Sequence, residues 1–166
     1  MQLEMLFEMQ TELDQRIIAD KNLDPSKHLV DKALAIIGEI GEALNEWRGF
    51  KFWSTDQMPR ADELITELVD CLHFVLSIGI EMKYQAAAIQ CVSLKENDFE
   101  IDIRRSFLNF TQSVLSFEHY RDSRNYTFMF QYLVDLITEI GFDWEQVIRV
   151  YEHKNRINHM RQVQGY

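Results

Sequence analysis

Apolar residues recur along most of the chain at the spacing of an α-helix. Between Leu3 and Asp20 they occupy one face with a repeat of three to four residues, and the same repeat returns in the later segments. No stretch shows the strict alternation of apolar and polar residues that is typical of an exposed strand. The pattern therefore predicts an all-α fold, a single-domain helical bundle with helices over about Leu3–Asp20, Lys27–Arg48, Arg60–Glu81, Tyr84–Val92, Ile101–Phe117, Tyr126–Ile140 and Trp144–Gln162.

Residues with strong capping preferences mark several of these helix ends. The segment Asp24-Pro25-Ser26 predicts a break followed by a new helix start, because Asp and Ser cap helices and Pro is tolerated in a first turn. Gly49 and Gly141 predict helix C-termini, and Asp143 predicts the cap of the last helix. The third helix is apolar nearly all round after Leu68, which indicates that it is the central and most buried one.

Composition and charge fit one globular domain over residues 1–166. Hydrophobic residues make up 46% of the chain and charged residues 27%, and this length supports one core. The net charge of −10 disfavours binding to a nucleic acid polymer. The longest apolar stretch, Cys71–Ile80, is far shorter than the ~20 residues that cross a bilayer, so we expect no membrane partner. Two cysteines make no disulfide framework, and no basic segment precedes an apolar core at the N-terminus, which favours a cytoplasmic location.

Two pairs of carboxylates lie on the second and third predicted helices. Glu39 and Glu42 are three residues apart, as are Glu67 and Asp70, so each pair shares one helix face. If these helices pack antiparallel, the four carboxylates converge and repel one another unless a cation neutralises them. Oxygen ligands of this kind suit Mg²⁺ or Mn²⁺. A solvated helix face is the simpler alternative for either pair alone, but acidic groups in the most apolar helix rarely lack a partner.

The last predicted helix carries a small cluster of basic and amide side chains. Lys154, Asn158 and Arg161 recur at i, i+4 and i+7, so they project from one face. This combination suits the oxygens of a polyphosphate, since Arg binds two of them at once. The alternative is a basic last turn that compensates the helix dipole and needs no ligand.

The loop after the second helix is rich in aromatic and basic side chains. The run Trp47-Arg48-Gly49-Phe50-Lys51-Phe52-Trp53 could hold a base and a phosphate tail, or could simply pack in the core. His73 is predicted to be a hydrogen-bonded core histidine, because Mg²⁺ prefers oxygen, and Cys71 to be an unreactive buried thiol. The chain lacks the P-loop, GxGxxG and GxSxG motifs, so kinase, Rossmann and α/β-hydrolase functions have no support.

The carboxylate pairs resemble the ExxE…ExxD signature of the all-α NTP pyrophosphatase superfamily, which includes the MazG-like enzymes and the dimeric dUTPases. Three strings narrow the resemblance to the dimeric dUTPases: FKFW from Phe50, ELVDCLHFVLS from Glu67, and KNxxNxxRQxxGY from Lys154 to Tyr166. The carboxylate signature is shared by the whole superfamily, whereas the string from Lys154 to Tyr166 is much more specific for the dimeric dUTPases.

The resemblance implies an enzyme that hydrolyses dUTP to dUMP and pyrophosphate with Mg²⁺, or with Mn²⁺ in its place. Glu39, Glu42, Glu67 and Asp70 would hold the metal, and Glu42 would also orient and deprotonate the attacking water. The remaining expected contacts are Lys154, Asn158, Arg161 and Lys51 with phosphate, Gln10 and Asp14 with uracil, and Trp47 and Phe74 with base or sugar. Family members often carry Asn in place of Asp14, and they are usually homodimers with active sites near the subunit interface.

Two other functions compete with this hypothesis. A related all-α pyrophosphatase, such as a dCTPase or a MazG-like house-cleaning enzyme, would use the same metal residues with another base preference. A non-enzymatic helical interaction protein would leave the acids solvated and use the basic helix to dock a partner. The first alternative differs from a dUTPase only in which base the enzyme selects. The second alternative predicts that Mg²⁺ has no specific effect on the stability of the protein.

Overall fold

A computed structural model describes residues 1–95 and 102–165 of the chain. These residues form a short 3₁₀ turn at Pro25–Lys27 and seven helices, α1 (Leu3–Lys21), α2 (Leu29–Trp47), α3 (Ala61–Glu81), α4 (Gln85–Cys91), α5 (Ile103–Tyr120), α6 (Ser123–Ile140) and α7 (Trp144–Val163). Neither described range contains a strand, so the all-α prediction is confirmed. The predicted helix start at Ile101, part of the predicted polar break at 95–98 and the motif residue Tyr166 lie outside the described residues.

The central position predicted for the third helix is confirmed. α3 packs against α1, α2, α4, α6 and α7, and its buried residues run from Leu64 to Gly79. Tyr126 of α6 is fully buried against this helix and donates its hydroxyl to the Val75 carbonyl oxygen at 3.1 Å. A Cβ at Gly79 would collide with that hydroxyl, so a glycine is what allows α6 to approach so closely.

α2 and α3 pack antiparallel along their lengths, which is the condition for the predicted convergence of carboxylates. Arg60, just before α3, pairs with Glu46 near the end of α2, with Nη1 3.0 Å from Oε2. At the other end, Lys32 near the start of α2 pairs with Glu81 at the end of α3, with Nζ 2.6 Å from Oε2. Positions between these two pairs are therefore brought side by side on the two helices.

Several helix ends differ from the sequence prediction. α2 ends on Arg48, which takes the left-handed conformation with φ 63°, rather than on Gly49. Gly49 instead accommodates the Trp47 ring, which a Cβ there would strike. α6 begins before the predicted Tyr126, because the Asp122 side chain accepts from the Asn125 backbone N–H at 2.8 Å and caps it.

The two cysteines and the start of α7 are as the sequence predicts. Cys71 is buried in α3, where burial raises the pKa of its thiol, and Cys91 is exposed, with neither in a disulfide. Asp143 caps α7 as predicted, accepting from the Gln146 backbone N–H at 2.7 Å. Among the described helices, none combines the length and the apolar content needed to span a membrane.

Candidate active site

Three of the four predicted carboxylates meet between α2 and α3. Glu39, Glu67 and Asp70 each place one oxygen within 4.8 Å of the others, and all three side chains are half-buried. The antiparallel packing of α2 and α3 produces this meeting, since residues 39, 67 and 70 lie midway between the ion pairs at the two ends. Hard oxygen donors at this separation are suited to a small divalent cation.

The electrostatics of this cluster favour cation binding. Burial, together with the charges of the neighbouring carboxylates, raises the pKa of Glu39 to about 7. Burial first and neighbouring acids second also raise the pKa of Glu67, and burial raises the pKa of Asp70. Carboxylates that resist ionisation for these reasons gain most from a cation that neutralises them.

Glu42, the fourth predicted carboxylate, lies at the edge of the cluster. Its side chain is exposed, and it is not part of the group of three. Its charge nevertheless contributes to the raised pKa values of Glu39, Glu67 and Asp70, which shows that it lies nearby. Its roles as ligand and base remain predictions.

Lys154 of α7 already provides a cation at this cluster. Its Nζ lies 2.6 Å from Asp70 Oδ2, and the two side chains are only 17% and 18% exposed. This contact lowers the pKa of Asp70 against the larger effect of burial. Asn158 and Arg161 follow on later turns of α7, with Arg161 Nη1 donating to Asn158 Oδ1 at 3.4 Å. Three of the four residues predicted to bind phosphate, all on α7, therefore share one side of the carboxylate cluster.

A cavity of about 370 Å³ opens beside the carboxylates and is formed by α1, α2, α3 and α7. Its volume lies at the lower end of the range for small-molecule sites. One end is charged and contains Glu39, Asp70 and Lys154, and the apolar wall includes Leu13 and Phe74. The remaining lining residues are Gln10, Asp14, Ile17, Lys32, His73, Ser77, Asn158, Arg161 and Gln162.

A buried hydrogen-bond network forms the other end of the cavity. Gln10 Oε1 accepts from the Tyr151 hydroxyl at 2.8 Å and lies 2.8 Å from His73 Nδ1, while its Nε2 donates to Asp14 Oδ1 at 2.7 Å. The Ser77 hydroxyl donates to Asp14 Oδ2 at 2.6 Å. Burial raises the pKa of Asp14 against these two hydrogen bonds, and burial lowers the pKa of His73 to about 3, so the imidazole is neutral.

Trp47 and Lys51 do not line this cavity. The Trp47 ring packs against Phe107 of α5 at a centroid distance of 5.4 Å, and with Phe50 it borders a separate apolar cavity of about 380 Å³. Lys51 Nζ donates to the Asn45 carbonyl oxygen at 3.4 Å. Trp47 therefore packs against α5, whereas Phe52 and Trp53 are 86% and 66% exposed. The expected contacts of Trp47 with base and Lys51 with phosphate remain predictions.

Sequence analysis did not assign a site role to Lys32, His73, Ser77 or Tyr151. His73 and Ser77 follow Asp70 at i+3 and i+7 on α3, so helical spacing alone would have placed them on the face of a metal-site residue. Tyr151 carried no such signal, because its place beside Gln10 depends on how α7 crosses α1.

Comparison with protein families adds one result. A family model described as dUTPase matches residues 2–166 of the chain. The match spans both carboxylate pairs, the network on α1 and the basic face of α7. No curated protein matches the chain significantly.

Proposed function

This chain belongs to the all-α dUTPase family, and from that premise we propose that the cavity between α1, α2, α3 and α7 is an Mg²⁺-dependent active site for dUTP. Family membership makes the chain a nucleotide pyrophosphohydrolase, which converts dUTP and water to dUMP and pyrophosphate. The residues that hold metal and substrate are part of our proposal, as is the assignment of residues 1–166 to one domain.

The observation that carries the metal assignment is the meeting of Glu39, Glu67 and Asp70. Three oxygens within 4.8 Å of one another, from carboxylates with raised pKa values, fit a hard divalent cation, and Mn²⁺ would fit the same donors. Lys154 on Asp70 supports the same conclusion, because it shows that the cluster attracts positive charge. Mg²⁺ would neutralise charge on phosphate oxygens and lower the pKa of water.

The chain's own residues supply the other parts of the reaction. Glu42, at the open edge of the cluster, would orient the attacking water and take its proton, with the neighbouring acids keeping its environment negative. Lys154, Asn158 and Arg161 would bind the triphosphate and stabilise the charge that develops on the departing pyrophosphate. These three residues line the same cavity as Glu39 and Asp70. We propose that the attacking water and the leaving group lie on opposite sides of the attacked phosphorus.

The end of the cavity formed by the network of Gln10 and Asp14 would hold the nucleoside. Gln10 and Asp14 lie on its lining with fixed hydrogen-bond partners, which is what a site that reads polar atoms of a base requires. Phe74 lies on the same lining, half-buried, and would pack against base or sugar. Lys32 Nζ is already paired with Glu81, so we assign it a structural role.

Our proposal extends to a homodimer in the cytoplasm. Exposed apolar side chains on α5 and α6 support the dimer: Leu108, Leu115, Phe128 and Tyr132 are between 40% and 60% exposed. The free cysteines Cys71 and Cys91 support a reducing compartment.

The first experiment measures pyrophosphate release from dUTP, dCTP, dTTP and UTP, with Mg²⁺ and with EDTA. We expect turnover of dUTP that requires Mg²⁺ and is much slower with the other nucleotides. Faster turnover of dCTP than of dUTP would be consistent with the metal site but would contradict the assignment of uracil as the base. Turnover in EDTA would contradict the metal assignment.

Single substitutions then test the carboxylates individually. Glu39→Gln and Glu67→Gln keep size and hydrogen bonding but remove the charge, so both should lower kcat at least ~100-fold while unfolding remains cooperative. Glu63→Gln is the matched control, since Glu63 is exposed on α3 one turn before Glu67. Wild-type activity in both cluster variants would exclude these residues as metal ligands.

A further inference from the structure

The buried face of α7 changes character along the helix. Its buried residues recur at helical spacing and are Trp144, Val147, Tyr151 and Asn155. Among the α7 residues described after Asn155, none is buried, and Met160 and Val163 are 55% and 72% exposed. The half of the helix that carries Asn158 and Arg161 therefore has, in the described structure, no buried apolar residue to hold it on its neighbours.

Asn155 is a polar side chain placed where this buried face ends. It is only 4% exposed, and its Nδ2 donates to the Met9 carbonyl oxygen of α1 at 3.4 Å. The preceding residue, Lys154, forms the 2.6 Å ion pair with Asp70 of α3. Polar contacts to α1 and α3 therefore take the place of apolar packing at this point of α7.

A buried amide fixes the relative position of two helices more tightly than apolar packing does. Apolar contacts are non-directional, so they tolerate small shifts of one helix along another. A shift that separates a buried N–H from its acceptor leaves the donor unsatisfied, which costs free energy. A single buried Asn sets the register of coiled-coil helices for this reason.

We propose that Asn155 is a positioning residue whose hydrogen bond to Met9 sets the axial register of α7. In that register the helix presents the phosphate contacts, Lys154, Asn158 and Arg161. The inference rests on the proposed function in taking these three side chains as the phosphate contacts. A helix advances about 1.5 Å per residue, so a slip of one residue would displace all three far enough to impair binding.

The ion pair of Lys154 with Asp70 cannot perform this task alone. Mg²⁺ in the carboxylate cluster would compete for the Asp70 oxygen, so the ion pair is weakest when metal and substrate are bound. The acceptor of the Asn155 hydrogen bond is a backbone carbonyl of α1, outside the cluster. Asn155 therefore holds α7 in place while Lys154 turns toward phosphate.

Two substitutions remove the hydrogen bond, and a third serves as the control. Asn155→Leu keeps a buried side chain of similar size without a donor, and Asn155→Ala takes its place if the leucine variant does not fold. Val147→Ala is the control, because Val147 is fully buried on the same face of α7, in the half that precedes the phosphate contacts. It removes packing without removing a polar contact to α1.

Isothermal titration calorimetry in Mg²⁺ then compares two ligands, dUMP and a dUTP analogue with an imido bridge between the α and β phosphorus atoms. We expect Asn155→Leu to raise the Kd of the analogue about tenfold or more and that of dUMP much less, since dUMP has one phosphate. Val147→Ala should lower the denaturant midpoint and leave both Kd values near those of the wild type.

The possible outcomes separate the inference from the function on which it rests. An analogue Kd within about twofold of wild type in the folded Asn155 variant would overturn the positioning role. Equal weakening of both ligands, or the same selective weakening in Val147→Ala, would also overturn it, because either result indicates general loss of structure. In all these cases the wild type binds the analogue, so the proposed function stands. A wild type that does not bind the analogue would overturn both.

Discussion

The side chain of Lys154 has two possible partners, Asp70 in the carboxylate cluster and the phosphates of a bound substrate. The ammonium group lies 2.6 Å from a carboxylate oxygen of the proposed metal cluster, yet it also lines the cavity where phosphate would lie. Without metal, Lys154 is the cation that neutralises Asp70. Because Mg²⁺ would compete with it for that oxygen, we expect Lys154 to turn toward the substrate phosphates when metal binds.

We therefore predict that Lys154→Met strengthens Mg²⁺ binding to the nucleotide-free enzyme. Removing a competing cation should lower the Mg²⁺ Kd by ~3- to 10-fold, the ~1 kcal/mol expected for a partly exposed ion pair, while KM for dUTP rises. Isothermal titration calorimetry measures the first effect and steady-state kinetics the second.

Lys32→Met is the matched control for this prediction. Lys32 lines the same cavity and is also 2.6 Å from a carboxylate, but its partner Glu81 lies outside the cluster. Mg²⁺ affinity should be nearly unchanged in this variant. Weaker Mg²⁺ binding in Lys154→Met would show that the lysine assists the metal rather than competing with it.

The raised pKa of Glu39 gives a pH dependence with a defined sign. In the folded protein this carboxyl keeps its proton up to about pH 7, whereas in the unfolded chain it loses it near 4.5. The folded state therefore binds more protons between these values, and the metal-free protein should lose stability as pH rises through this window. Mg²⁺ should reduce or reverse the loss, because it binds the ionised form.

Urea unfolding at pH 5 and pH 8, in EDTA and in Mg²⁺, measures this effect. Glu39→Gln should flatten the decline in EDTA, and Glu63→Gln, on the exposed face of α3, should leave it at the wild-type slope. A metal-free protein that becomes more stable with rising pH would contradict the assigned shift.

Individual site residues differ in how far the sequence could predict them. Glu39, Glu67 and Asp70 could be found because both pairs have helical spacing and one pair lies in an apolar helix. The hydrogen bonds that join Gln10, His73 and Tyr151 could not, since they link α1, α3 and α7, which are remote in sequence. Long-range hydrogen bonds of this kind follow from packing and carry no local signal.

At the scale of elements, the packing of α3 against α6 requires a close approach of the two helices at Gly79. We predict that Gly79→Ala destabilises the protein by ~1–3 kcal/mol, because the added methyl group meets the rigid, buried Tyr126 hydroxyl. Gly38→Ala is the matched control: Gly38 is exposed in α2 with nothing within 4 Å of a new Cβ, so helix propensity should raise stability by up to ~1 kcal/mol. Denaturant midpoints of the two variants should move in opposite directions, and equal midpoints would contradict this packing.

Helix identity was easier to predict than helix ends. Long amphipathic repeats identified α1, α2, α3 and α7 within a few residues. The ends of α2 and α5 fall on Arg48 and Arg121, both left-handed without being glycine, so no composition signal marks them. Tertiary contacts, such as the Arg48 Nη2 bond to Asp56 Oδ2 at 2.9 Å, stabilise such ends.

At the scale of the whole molecule, the charge and the exposed apolar surface act in opposite directions. A net charge of −10 on each chain opposes association. Leu108 and Leu115 nevertheless stand 57% and 60% exposed, seven residues apart on one face of α5. Gln112 lies between them and borders a groove with Phe128 and Tyr132 of α6. Since large exposed apolar patches are uncommon on monomers, this face is the candidate dimer interface.

We predict that Leu115→Glu converts the proposed dimer to a monomer. A carboxylate buried without a partner at an interface costs several kcal/mol, which corresponds to a dimer Kd at least ~100-fold higher. Sedimentation equilibrium measures the Kd, and Val163→Glu is the control, since Val163 is 72% exposed at the end of α7, a helix that packs on α1 and α3. A wild-type monomer would remove the dimer from the proposal. A dimer unaffected by Leu115→Glu would place the interface on another face, and the pH and metal predictions would be unchanged, since each rests on residues of one chain.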